Sequence, residues 1–107
     1  MIIGILSDTH DCLPLIDKAV KKFNEINAEL VLHTGDYIAP FVDSHFKPLK
    51  APLIGVLGNN DSEKKLLKQK FAEIGADIRG DFAFENIDGL RIGMLHGDDA
   101  ELVRAFL

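Results

Sequence analysis

Met1-Ile2-Ile3-Gly4-Ile5-Leu6-Ser7-Asp8-Thr9-His10-Asp11-Cys12 is the stretch that decides the fold. Its apolar run, Ile2 to Leu6, reads as a buried β-strand, and the run stops abruptly at Ser7-Asp8-Thr9-His10-Asp11. Two side chains able to bind a metal, Asp8 and His10, therefore sit on a loop at the carboxyl end of a core strand. The arrangement returns along the chain. Leu30-Val31-Leu32 runs into His33-Thr34-Gly35-Asp36, and Leu53-Ile54-Gly55-Val56-Leu57 ends in Gly58-Asn59-Asn60-Asp61. Leu90 to Leu95 ends in His96-Gly97-Asp98-Asp99.

Helices are expected between these strands. Residues 14 to 27 form an amphipathic pattern with Ile16, Ala19, Val20, Phe23 and Ile26 on one stripe. A short helix is expected from Pro40 to about Leu49, stopped by Pro48 and Pro52. A further helix is capped by Asp61 or Ser62, turns Leu67, Phe71 and Ile74 inward, and ends at Gly75. Asp88-Gly89 between Phe82–Ile87 and Leu90–Leu95 signals a hairpin. A last helix starts after His96, with Asp98 and Glu101 spaced as a capping box. The alternation predicts an α/β fold, a mixed β-sheet flanked by helices, with parallel strands joined by right-handed crossovers in its front part. The tripeptide I-G-x-L, at Ile3, Ile54 and Ile92, is expected to mark three central strands with helices packed closely over glycine.

Composition narrows the class of protein. The chain has 107 residues, enough for a single domain over 1–107; 47% are hydrophobic and 27% charged, as in soluble globular proteins. No apolar run approaches the ~20 residues of a membrane helix, and the start lacks the pattern of a signal peptide. One cysteine, Cys12, excludes an internal disulfide framework or a Cys-rich zinc site; it is expected to be a small apolar filler, and a cytoplasmic location is expected. A net charge of -5 with no basic cluster argues against a nucleic-acid partner. Lys64, Lys65, Lys68 and Lys70 read as the solvated face of a helix.

Open α/β sheets collect ligands outside the carboxyl ends of their strands. That edge receives Asp8 and His10, Asp36, Asn59 and His96. Carboxylate, amide and imidazole groups without thiolate suit Mn, Fe, Zn or Ni. A carboxylate can bridge two ions about 3.5–4 Å apart, and Asp36, central among the strand ends, is best placed to do so. Each residue alone has a structural explanation: Asp8 or Asp11 as a helix cap, His10 as an exposed loop residue, Asn59-Asn60-Asp61 as a turn, His96 as a satisfied strand end. Together they point to metal. His33 lies one residue too early to be an obvious ligand, and His45 falls on a surface helix.

In order and spacing, Asp8-Thr9-His10, Gly35-Asp36, Gly58-Asn59-Asn60-Asp61 and His96-Gly97 resemble the calcineurin-like metallophosphoesterases, most closely the small bacterial and archaeal phosphodiesterases. The resemblance implies a metal-dependent phosphodiesterase acting on a small phosphoester. It implies two divalent ions, manganese first, with nickel, iron or zinc as alternatives. Asp8, His10 and Asp36 would hold one ion; Asp36, Asn59 and His96 would hold the other. A hydroxide between them would attack phosphorus, and Asn60 would touch the phosphate. Two departures stand out. Asn60 replaces a histidine that many relatives carry. The family's later Gly-His-x-His loop is also missing, since eleven residues follow His96. The fold implied is a truncated four-layer α/β/β/α form, C-terminally short, with Asp98, Asp99, water or another chain supplying the missing ligands. An open apolar sheet edge then implies a homo-oligomer or a partner chain. The competing reading is a catalytically impaired scaffold or interaction protein on the same fold; the presence of all five candidate ligands favours the enzyme.

Overall fold

Strand β1, Ile3–Leu6, pairs in parallel with β2, Leu30–His33, in the register Ile3↔Leu30 to Leu6↔His33. β3, Leu53–Gly55, and β4, Asp77–Ile78, complete a parallel sheet of order β1-β2-β3-β4. The computed structural model describes residues 1–38, 40–61 and 63–106. The sequence reading did not anticipate β4. Two residues, one exposed and one buried, carry no apolar run, and their strand exists because β3 supplies a partner.

Helix α1, Leu13–Glu25, follows β1; α2, Asp43–Phe46, continues a 3-10 turn at Pro40–Val42; α3, Lys64–Glu73, follows β3. All three cover one face of the sheet. Alternation along the strands sends Val31, Leu53 and Ile78 to that face, where they meet Ile16, Val20, Phe46, Leu67 and Phe71. Burial of Leu67 and Phe71, roughly 1.5–3 kcal/mol each, anchors α3, whose lysines face solvent as expected. Gly4 lets the Phe23 ring lie 2.6 Å from where a Cβ would stand, and Gly55 gives the same room to the Tyr37 hydroxyl. The predicted close packing of a helix over glycine holds at Gly4, beneath Phe23 of α1, whereas at Gly55 the close neighbour is Tyr37 of the loop after β2.

Strands β5, Phe82–Ile87, and β6, Leu90–Leu95, form the hairpin around Asp88-Gly89. Parallel and antiparallel pairing both occur, but in two sheets rather than one. The hairpin stacks its Ala83, Met94, Ile87 and Ile92 face on Leu30, Leu32, Ile54 and Val56 from the far side of the parallel sheet. The third I-G-x-L therefore belongs to the hairpin and not to a central parallel strand. Arg79 ties the layers, donating to Asp77 Oδ2 at 2.6 Å and Glu85 Oε1 at 2.8 Å. The hairpin covers β2 and β3 but leaves Ile5 on edge strand β1 68% exposed.

Several local expectations change. Asp61 does not cap α3: Glu63 holds the N-cap position in a left-handed conformation, and Ser62 lies outside the described residues. Gly75, at φ +83°, does end α3. Helix α4, Ala100–Phe106, is capped by Asp99 and not Asp98; Asp99 Oδ1 accepts the N–H groups of Glu101 and Leu102 at 3.0 and 3.2 Å. The expected apolar end of this helix includes Leu107, which is outside the described residues. Cys12 is exposed just before α1, so it fills no core space. Ile26 lies beyond the end of α1 and is exposed.

Candidate metal centre

Beyond the strands, the loops after β1 and β2 stay paired. Thr34 N–H donates to Leu6 O at 3.1 Å, Asp8 N–H to Gly35 O at 2.9 Å and His10 N–H to Asp36 O at 3.0 Å. Asp8, His10 and Asp36 all have left-handed backbones, with φ of 53°, 50° and 64°. Non-glycine residues adopt this conformation at a cost, and such positions concentrate where a side chain must be aimed. Gly35 and Gly58 bring the β2 and β3 loops together. A Cβ at Gly35 would stand 2.5 Å from Gly58 N, and one at Gly58 would stand 2.5 Å from Asp36 N.

The result is a cluster. Ligand-capable atoms of Asp8, His10 and Asp36 all lie within 4.8 Å of one another. His10 Nε2 is 3.7 Å from Asp36 Oδ2 and 4.0 Å from Asp8 Oδ1. His96 Nε2 approaches from β6, at 3.4 Å from Asp36 Oδ2 and 3.8 Å from Asp8 Oδ1. Nitrogen and oxygen ligands about 2.0–2.2 Å from a shared ion stand roughly 3–4 Å apart, so this donor set fits a divalent cation. His96 is also oriented for it. Its Nδ1–H donates to Thr34 O at 2.9 Å, which leaves the Nε2 lone pair facing the cluster.

Asp36 is buried, and burial by itself opposes ionisation. The backbone and side-chain donors of Asn60, with His96 nearby, outweigh burial and hold its carboxyl below its ordinary value. Asn60 N–H donates to Asp36 Oδ1 and Asn60 Nδ2–H to Oδ2, each at 2.9 Å. Asn60 therefore lies on the carboxylate. Asn59 is an exposed turn residue on a cavity of about 150 Å³ that also borders His96, Lys64, Asp81 and Asp98. Of the five proposed ligands, four converge and Asn59 stands beside them.

A buried layer supports the loops. His33 Nδ1 accepts the Gly35 N–H at 3.0 Å, so its Nε2–H donates to Thr9 Oγ1 at 2.9 Å. Burial, with His96 adding to it, lowers the His33 pKa to about 3 against a small opposing effect of Asp36, so the ring is neutral. It stacks on Tyr37 at 4.0 Å between centroids. His33 thus supports the site as a structural neighbour, in keeping with its position one residue too early. His45 pairs with Asp17 at 2.8 Å between α2 and α1. Sequence reading missed two contributors, Thr9 and Asp61. Thr9 is buried between two exposed residues, and only its central place in Asp8-Thr9-His10 hinted at it.

Fold and site together define an α/β protein whose parallel sheet gathers carboxylates and imidazoles, in cation-binding geometry, at its carboxyl edge. The chain belongs to the calcineurin-like phosphoesterase superfamily, whose domain matches residues 1–106. It is 45% identical over 98 residues to a phosphodiesterase of Methanocaldococcus jannaschii, in an alignment spanning 91% of this chain and 59% of that protein. Its structure superposes on that of a novel archaeal phosphodiesterase with a TM-score of 0.92 and 40% identity, covering 99% of this chain and 65% of the other. A phosphoesterase from E. coli shares the fold, with a TM-score of 0.74 at 20% identity over 94% of this chain and 61% of that one. The chain thus spans less than two thirds of the length of these relatives. Among the described residues, no helix is long and apolar enough to cross a membrane.

Proposed function

We propose that this chain carries the metal centre of a phosphodiesterase. The observation that supports this most directly is the meeting of Asp8, His10, Asp36 and His96 from three strands at one edge, with ligand atoms spaced for a cation. In this reading Asp8, His10 and Asp36 hold one divalent ion; Asp36, Asn59 and His96 take part in holding a second, manganese being the first candidate. Such ions supply a water of lowered pKa and neutralise charge on the phosphoryl oxygens. The chain's own residues do the rest. Asn60 keeps Asp36 ionised and aimed, Thr34 O fixes the His96 tautomer, and the exposed edge admits a small phosphoester. The apolar exposure of Ile5 on β1 and of Ile2 just before it suits coverage by a second chain, a copy of itself or a partner, and sedimentation tests this. A single species of monomer mass at high concentration counts against such coverage.

The deciding experiment measures bound metal and hydrolysis of an activated aryl phosphodiester in one sample, with and without added manganese. Uptake with turnover supports the reading. Uptake without turnover favours the scaffold alternative, and no uptake removes the metal centre altogether.

A further inference from the structure

We infer that Asp61 is a positioning residue that sets the separation of the two ligand-bearing loops; this rests on the metal reading above. Asp61 follows β3 and is only 5% exposed. Its Oδ1 accepts the N–H groups of Tyr37 at 2.6 Å and Ile38 at 2.8 Å. Its Oδ2 accepts those of Asp36 at 2.9 Å and Gly58 at 2.7 Å. Four main-chain donors fill both oxygens, so the carboxylate is not available to an ion and does not cap α3.

Three of these donors are consecutive, residues 36 to 38, and they converge because the backbone curls there. Asp36 and Ile38 have φ of 64° and 76°, and a β-branched side chain at positive φ is an outlier that needs outside support. An anion seated in a curl of N–H groups supplies that support. Oδ2 also holds Gly58 from the other loop, so one atom joins the loop carrying Asp36 to the loop carrying Asn59 and Asn60. Asp61 acts on the centre through the main chain of Asp36 rather than by touching a ligand atom.

Asp61→Asn tests this. It preserves shape and one acceptor but turns an NH₂ group towards a pair of N–H donors. Manganese affinity is measured by calorimetry well below the melting temperature of each variant. Amide exchange is followed on the metal-free proteins. Val20→Ala, a core change on α1, is the control for lost stability. Loss of manganese affinity by 10- to 100-fold in Asp61→Asn is expected, the size typical of residues that orient ligands. Faster exchange at Tyr37 and Ile38 should accompany it, while Val20→Ala keeps the wild-type affinity. Asp61→Glu, with its longer arm, should also bind more weakly although it keeps the charge. Wild-type affinity in folded Asp61→Asn, or an equal loss in Val20→Ala, overturns the inference and leaves the metal reading standing. No manganese uptake by the wild type overturns both.

Discussion

Asn60 grips Asp36 at both carboxylate oxygens, backbone N–H to Oδ1 and side-chain Nδ2–H to Oδ2, each at 2.9 Å. The oxygen held by the side chain is the one that faces both His10 and His96. Asn60→Ala keeps the first bond and removes the second. Manganese affinity is expected to fall about tenfold or more, and stability in chelator to change by about 1 kcal/mol. Calorimetric titration and thermal melts check both, and an unchanged affinity would place the clamp outside the binding function.

Asp8 is exposed; its Oδ1 lies 4.0 Å from His10 Nε2 and 3.8 Å from His96 Nε2, and its side chain also hydrogen-bonds Asp36. Its partners, the Ser7 hydroxyl among them, meet it at the solvent-exposed edge, where screening keeps its contribution to the metal-free fold small. Asp8→Asn should abolish tight manganese binding while moving the unfolding free energy in chelator by no more than about 1 kcal/mol. Urea unfolding in chelator, set against a metal titration, tests the pair of outcomes. A large loss of stability would make Asp8 a structural residue first.

A methyl group at position 58 has nowhere to go. It would meet Asp36 N at 2.5 Å and the Asp36 carboxylate at shorter range still. Gly58→Ala is therefore expected to cost about 1–3 kcal/mol by overpacking and to weaken manganese binding by displacing Asp36. Melting temperature and metal affinity should fall together, and wild-type values for both would contradict the close contact.

His33 predicts acid sensitivity. The folded ring stays neutral down to about pH 3, whereas an exposed imidazole takes a proton near 6.5. Between these values the unfolded chain binds the extra proton. The His33 contribution is complete above pH 6.5 and is lost as pH falls towards 3, by up to about 1.4 kcal/mol per unit. Urea midpoints from pH 7.5 to 4 measure it. His33→Gln, which cannot be protonated, should show a shallower dependence over the same range.

Most of this architecture was legible because its strands announce themselves. Leu30 to Leu32 and Leu53 to Leu57 are apolar on both faces, as strands covered on both sides must be. The stops at Asp8, Asp36 and His96 then located the edge where they meet. Asp77–Ile78 left no trace because a two-residue strand depends wholly on its neighbour. Asp61 was misread because a carboxylate ahead of a helix has a simpler local use, and three of its four partners lie on a loop 23 to 25 residues away. The hairpin was found, but its layer was not. Alternation in β5 tells which side chains face together, and it does not say whether the pair extends a sheet or lies across one.

One boundary divides the centre. The parallel sheet and its loops bring Asp8, His10 and Asp36, whereas His96 arrives on the hairpin packed against the opposite face. The ligand set is therefore a gauge of how the two sheets sit on each other. A slip of the hairpin by one residue would turn Met94 away from the core and withdraw His96, the fourth proposed ligand, while the three-residue cluster stayed whole. Chemistry that needs His96 is thereby made conditional on correct stacking of the layers.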